Sequence, residues 1–135
     1  MSYFKYENSP YVIRSDTAEA HARFWENLAS PGNWWTGAER VAIAQEVRNA
    51  LSCEFCASRK QALSPYNFAG EHQHGEGLDE VAIDAVHRVI TDQTRITKSW
   101  VEDNVVKGLS KGAYVELAGL AVAVLSVDEF HRAIG

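Results

Sequence analysis

Sulfur is scarce in this sequence: 135 residues hold two cysteines and one methionine. Two thiols cannot build the disulfide framework on which small secreted scaffolds depend. Proline is scarce too, with three, and no stretch shows the period-two alternation of a half-buried strand. There is no basic run, and a formal net charge of -5 excludes a general nucleic-acid binder. The longest apolar-rich stretch, 113–125, is too short to span a bilayer and contains Glu116, so no membrane association is expected. The opening Met1-Ser2-Tyr3-Phe4-Lys5-Tyr6 lacks the basic start and apolar centre of a secretory signal. A cytoplasmic location is therefore expected, where an isolated cysteine pair is more often catalytic or metal-binding than a structural staple.

What is present reads as one domain over 1–135, with 46% apolar and 23% charged residues. Residues 1–14, aromatic and interrupted by Pro10, are expected to be an irregular arm. Asp16-Thr17-Ala18-Glu19 predicts a capping box and a helix to about Leu28. Thr36-Gly37-Ala38-Glu39 predicts a second box, opening a helix through Val41, Ala44, Val47 and Leu51. The cysteine segment continues helically to Leu63, where Ser64-Pro65 stops it. Residues 66–78 form a glycine-rich loop holding His72 and His74. A helix follows from Asp79, with Val81, Ala85, Val86 and Val89 buried, and breaks at Thr91-Asp92-Gln93. Another spans about Thr97 to Lys107 and ends at Gly108 in a left-handed cap. Ser110 starts a long apolar helix to Leu125, and Asp128 opens a final short turn. The fold class is all-α, with six or seven helices.

The chain is organised around Ser52-Cys53-Glu54-Phe55-Cys56. Two thiols three residues apart in a helical setting can close a short bridge, share a metal, or simply pack. At the start of a helical turn, unpaired N–H groups favour thiolate over thiol, and thiolate is the nucleophile of disulfide and peroxide chemistry. Arg59 and Lys60 follow directly, and nearby cations act in the same direction. A thioredoxin-type reading fails for want of a βαβ setting. A zinc reading recruits His72 and His74, giving Cys-x2-Cys-x15-His-x-His.

Trp35-Thr36-Gly37-Ala38-Glu39-Arg40-Val41-Ala42-Ile43-Ala44 running into Ser52-Cys53-Glu54-Phe55-Cys56-Ala57 resembles the core helix pair of the alkylhydroperoxidase D-like / carboxymuconolactone decarboxylase superfamily. Val86-His87-Arg88-Val89-Ile90-Thr91-Asp92, then Gly108-Leu109-Ser110 and Tyr114-Val115-Glu116-Leu117, resembles the second half of that module. The resemblance covers about residues 34–135, and its first block is the specific one. It implies an alkylhydroperoxidase D-like helical bundle, a trimer or trimer-based hexamer, and thiol-dependent peroxidase activity without a cofactor. It also implies that Cys56 takes the peroxide and Cys53 resolves, whereas the helix-end argument favours Cys53 as the more acidic thiol. Two positions depart from the family: Lys60 stands where the relay histidine is usual, and Val41 where the relay glutamate is usual.

A rebuilt relay must come from other residues. Glu46, two helical turns before Cys53, shares its face if the helix runs straight, although an exposed, salt-bridged glutamate is the bland alternative. Glu116, alone among apolar neighbours, suits proton transfer or a structural salt bridge. His87 lies on a helix between valines, where packed histidines are common, and His72 and His74 sit on a loop that could close over the sulfurs. Lys60 can lower a thiol pKa but is a poor shuttle near neutrality. His21 and His131 read as structural, and Trp25, Trp34, Trp35 and Trp100 as core and interface anchors.

The expected function is reduction of a hydroperoxide, or disulfide exchange, by Cys53 and Cys56. Glu46, Glu116, His87, Lys60 and His72 are the candidate supporting residues, an external dithiol the reductant, and the assembly a homo-oligomer. The rivals are a non-catalytic helical module, metal-binding through Cys53, Cys56, His72 and His74, and a lactone decarboxylase-like activity that needs no cysteine.

Overall fold

In the computed structural model, residue 6 and residues 8–135 are described. Among them the chain is all helical, with no strand: α1 Ser15–Leu28, α2 Gly37–Leu51, α3 Glu54–Gln61, α4 Glu80–Thr91, α5 Lys98–Val106 and α6 Lys111–Ile134. A single 3-10 turn, Gln93–Arg95, joins α4 to α5. The all-α expectation stands, at six α-helices. Most of the N-terminal arm is irregular; residues 1–5 and 7 lie outside the described residues. Tyr6 lies against His21, its hydroxyl 2.7 Å from Nδ1, and packs edge-on against Phe130.

Local chemistry sets most of the boundaries. Thr36 and Glu39 form the predicted capping box of α2, each side chain bonded to the other's backbone N–H. Asp79, Thr97 and Ser110 each accept the amide three residues on and start α4, α5 and α6. Gly108 ends the α5 segment at φ +107°, where a Cβ would be strained. The box expected at Asp16 does not form. Arg14 precedes α1 and takes the Asp16 carboxylate at 3.1 and 2.7 Å, and the one amide that this carboxylate accepts is that of the adjacent Thr17, at 2.8 Å.

Three helices make the core. α2, α4 and α6 pack on one another, bringing together Ile43, Val47, Val86, Leu117, Ala121 and Val124. α1 lies against α2, and α3 against α4. Because α2 has neighbours on two sides, Ala42, Ile43, Glu46 and Ala50 are buried, while Val41 and Leu51 of the expected stripe are exposed. α4 is buried at Ala85, Val86 and Val89 as expected, with Val81 only partly covered. α6 runs unbroken past the expected stop, so the separate turn at Asp128 is a correction. Ser126 Oγ bonds the Val122 carbonyl at 2.8 Å, and buried Asp128 holds Arg48 through two bonds of 2.9 Å.

The decisive difference lies at the cysteines. The helix from Thr36 stops at Leu51, Ser52 turns, and Cys53 becomes the residue before α3 with φ -73° and ψ 117°. α3 then ends at Gln61, two residues before the expected Leu63, where Arg95 takes the carbonyls of Arg59, Lys60 and Ala62. No helix of the described residues is long and apolar enough to cross a membrane.

Candidate functional site

The break at Ser52 turns both sulfurs inward. Cys53 occupies the N-cap position of α3 and Cys56 the third helical position, and both are buried free thiols. The segment 62–79 then folds back over them. Its grip is backbone chemistry: the Gln73 amide donates to Cys53 Sγ at 3.3 Å, and the Gly75 amide to Glu46 Oε2 at 2.6 Å. In return, the Gln73 side-chain oxygen accepts the Glu54 amide at 2.8 Å and caps the start of α3. Gly70 lies where any Cβ would strike the Phe55 ring, at 2.4 Å.

Two histidines reach the sulfurs from different elements. His87, on α4 and fully buried, places Nδ1 3.1 Å from Cys56 Sγ. His72, on the loop, places Nδ1 3.4 Å from Cys56 Sγ and 3.7 Å from Cys53 Sγ. Each ring is held from behind by a carboxylate. Glu46 Oε1 lies 2.8 Å from His87 Nε2, and Asp84 Oδ1 lies 2.8 Å from His72 Nε2. Each Nε2 therefore donates its hydrogen to the carboxylate, and both Nδ1 atoms face the thiols. Arg59 donates to the same Asp84 oxygen at 2.6 Å, and Asn49 donates to Glu46 at 3.1 Å.

The protonation states follow from these contacts. Burial opposes charge on Glu46, but the bonds from His87, Gly75 and Asn49 outweigh it and hold the carboxyl below its ordinary value. Burial pushes His87 below 6.5 despite Glu46, so its ring is neutral at pH 7 and Nδ1 carries a lone pair. Burial also lowers His72, but the Asp84 bond and the two sulfurs reverse this and raise it to about 10. Burial would raise Cys53, yet the Cys56 amide, His72 and the Gln73 amide bring it down from 9.0 to about 7. Asp84 is held well below the carboxylate range; burial opposes this, and His72 and Arg59 prevail. A neutral imidazole and an imidazolium, their ring centroids 4.2 Å apart, thus both face the sulfurs. A cavity of about 320 Å³ is lined by His72, Asp84, Gly70 and Ile83 among others.

Five of the candidate site residues meet here: Cys53, Cys56, Glu46, His87 and His72. Two do not. Glu116 accepts the amides of Asn33, Trp34 and Trp35 at 2.7, 3.3 and 3.2 Å and faces Arg40, which makes it a clamp on the turn before α2. Lys60 is exposed, and Arg59 is the buried cation of that turn, at 2%. His74 also stays outside the cluster, exposed, with Nδ1 2.6 Å from the Gly75 carbonyl. Asp84 was missed. It sits three residues before His87 on the side of α4 that also carries Glu80, Arg88 and Thr91, so in the sequence it reads as one more polar residue of that face.

No family model matches the chain, and neither a curated protein nor a solved structure significantly resembles it.

Proposed function

We propose that this chain is a thiol-dependent peroxidase or disulfide oxidoreductase of the alkylhydroperoxidase D-like kind, in which Cys53 and Cys56 cycle between dithiol and disulfide. The observation that carries this reading is the file Glu46–His87–Cys56, with contacts of 2.8 and 3.1 Å in a region closed to solvent. A carboxylate that fixes one imidazole nitrogen while the other meets a thiol is a general-base arrangement. It supplies a glutamate and a histidine from new chain positions where the family's own positions hold Val41 and Lys60.

His87 removes the Cys56 proton, and the thiolate attacks the terminal oxygen of a hydroperoxide. The O–O bond breaks, an S–O bond forms, and Cys56 loses two electrons to become a sulfenic acid. His72, protonated and lining the cavity, gives its proton to the leaving alkoxide, which departs as alcohol. Cys53, a thiolate near neutrality, then attacks the sulfenic sulfur. The S–S bond forms, and the displaced hydroxide takes the proton held on His87 and leaves as water. An external dithiol returns two electrons to the bridge. Assembly as a homo-oligomer belongs to the same proposal. Val115 and Val122, seven residues apart on α6 and exposed at 67% and 51%, supply an apolar face for a second copy.

The test is one equivalent of an organic hydroperoxide added to reduced, metal-free protein. One intramolecular disulfide per chain and one alcohol per peroxide are expected. Peroxide turnover that survives the double Cys53→Ser, Cys56→Ser change overturns the assignment; lactone chemistry surviving it points to the decarboxylase-like branch.

A further inference from the structure

We propose that Cys53, Cys56, His72 and His87 bind one zinc ion in the reduced protein, and that this ion and the Cys53–Cys56 bridge exclude one another. The first half stands on geometry alone; the second rests on the redox reading above.

The four donor atoms, two Sγ and two Nδ1, all lie within 4.8 Å of one another. Tetrahedral zinc, with Zn–S of about 2.3 Å and Zn–N of about 2.0 Å, needs its donors about 3.3 to 3.8 Å apart. The sulfur–nitrogen separations of 3.7, 3.4 and 3.1 Å run around those values, so small side-chain shifts bring all four onto one ion. The pattern is Cys-x2-Cys-x15-His-x14-His, drawn from α3, the covering loop and α4, with His87 in the place that spacing alone gave to His74.

The second observation lies behind the ligands. Both imidazoles give Nε2–H to a carboxylate, Glu46 for His87 and Asp84 for His72, and turn Nδ1 inward. Paired carboxylate–histidine units of this kind orient metal ligands and raise their basicity. A proton relay to one thiol needs a single such unit. Two of them, on neighbouring rings whose centroids lie 4.2 Å apart and aimed at the same sulfur pair, match what a closed four-donor site requires. The chemistry of the donors selects the metal: two thiolates and two imidazoles in a tetrahedron suit zinc. The two thiolate charges balance a divalent cation, and Arg59 on Asp84 offsets the carboxylate behind His72. Four protein ligands leave no open coordination position, so the ion guards the thiols and pins His72 and its loop to α3 and α4.

Oxidation ends that arrangement. A hydroperoxide takes two electrons from the two thiolates, the S–S bond forms, and the O–O bond breaks. Two solvent protons complete alcohol and water, and Zn²⁺ leaves because disulfide sulfur no longer carries the charge that held it.

The experiment uses the full chain, reduced and stripped of metal, with Zn²⁺ and Co²⁺ as the probes. One zinc per chain by elemental analysis is expected, and Co²⁺ should give tetrahedral ligand-field bands with a thiolate charge-transfer band. His72→Asn, its helical circular dichroism checked against the wild type, should abolish those bands, while His74→Asn should keep them. One equivalent of hydroperoxide should release the zinc as the disulfide forms. Substoichiometric metal, or Co²⁺ bands that persist in His72→Asn but vanish in His74→Asn, overturns the site. Metal bound by a chain whose metal-free form is inert to peroxide overturns the redox reading and keeps the site; the converse result keeps the redox reading and overturns the site.

Discussion

Glu46 and His87 stand 41 residues apart in sequence, yet Glu46 Oε1 lies 2.8 Å from His87 Nε2, and both side chains are at most 2% exposed. Burying a carboxylate is costly unless its oxygens are satisfied. Here His87 takes one oxygen, and the Gly75 amide and Asn49 take the other. The arrangement therefore locks three things together: the ring tautomer of His87, the loop over the thiols, and the face of α2 turned to the core.

Glu46→Gln keeps the size and removes the charge. His87 then loses the group that fixes its Nδ1 lone pair on Cys56. Peroxide-driven disulfide formation should slow by about 10²- to 10⁴-fold, the ordinary worth of a general base. Stopped-flow kinetics on metal-free protein reads this directly. The folded state should also lose about 1–3 kcal/mol, because an amide cannot accept all three donors.

Thiolate ultraviolet absorbance of the reduced, metal-free chain should rise with a first midpoint near 7, not at the ordinary 9.0. The groups facing Cys53 are Cys56 and His72, with Asp84, Arg59, His87 and Glu46 behind them. A folded value below the unfolded one means that the thiolate stabilises the fold above pH 9.0 and that this contribution is lost as pH falls through about 7. Cys53→Ser should remove the midpoint near 7. A single midpoint near 9.0 contradicts the electrostatic account.

His72 has the opposite sign. Its folded value is raised from 6.5 to about 10, so its contribution is complete below 6.5 and is lost as pH rises through about 10. Asp84→Asn removes the main cause. The His72 ring resonances should then titrate well below the wild-type midpoint, and the alkaline fall in stability should flatten. Because Arg59 also loses its partner, chemical denaturation should show a loss of about 2 kcal/mol at neutral pH.

Glu116→Gln should leave the thiol chemistry unchanged. One carboxylate accepts three successive backbone amides of the turn before α2, and an amide side chain offers a single acceptor oxygen. A stability loss of about 1–3 kcal/mol with an unaltered peroxide rate is expected. A change in that rate would connect Glu116 to the site after all.

The elements legible in the sequence were those decided within a few residues. Thr36 with Glu39, Asp79, Thr97, Ser110 and Gly108 each act on the adjacent turn, and the spacing announces them. Glu46 was legible from helical period, even though the helix does not continue to Cys53. The break at Ser52 was not, because Ser52-Cys53 carries no proline or glycine; Cys53 is held from outside, by His72 and Gln73 of the loop. His87 was a candidate, but its contact with Cys56 crosses 31 residues, and the Arg59–Asp84 pair, 25 residues apart, was illegible. The outer position of His74 was equally hidden. It directly follows Gln73, whose amide points at Cys53, and its own side chain is exposed.

The most direct measurement is mass spectrometry of metal-free Cys53→Ser protein treated with one equivalent of organic hydroperoxide and a sulfenic-acid trap. With no resolving thiol, the adduct should appear on Cys56, and its rate should collapse when Glu46→Gln is added. A Cys56 that stays unmodified under peroxide, or an adduct rate indifferent to Glu46, contradicts the relay on which the whole reading stands.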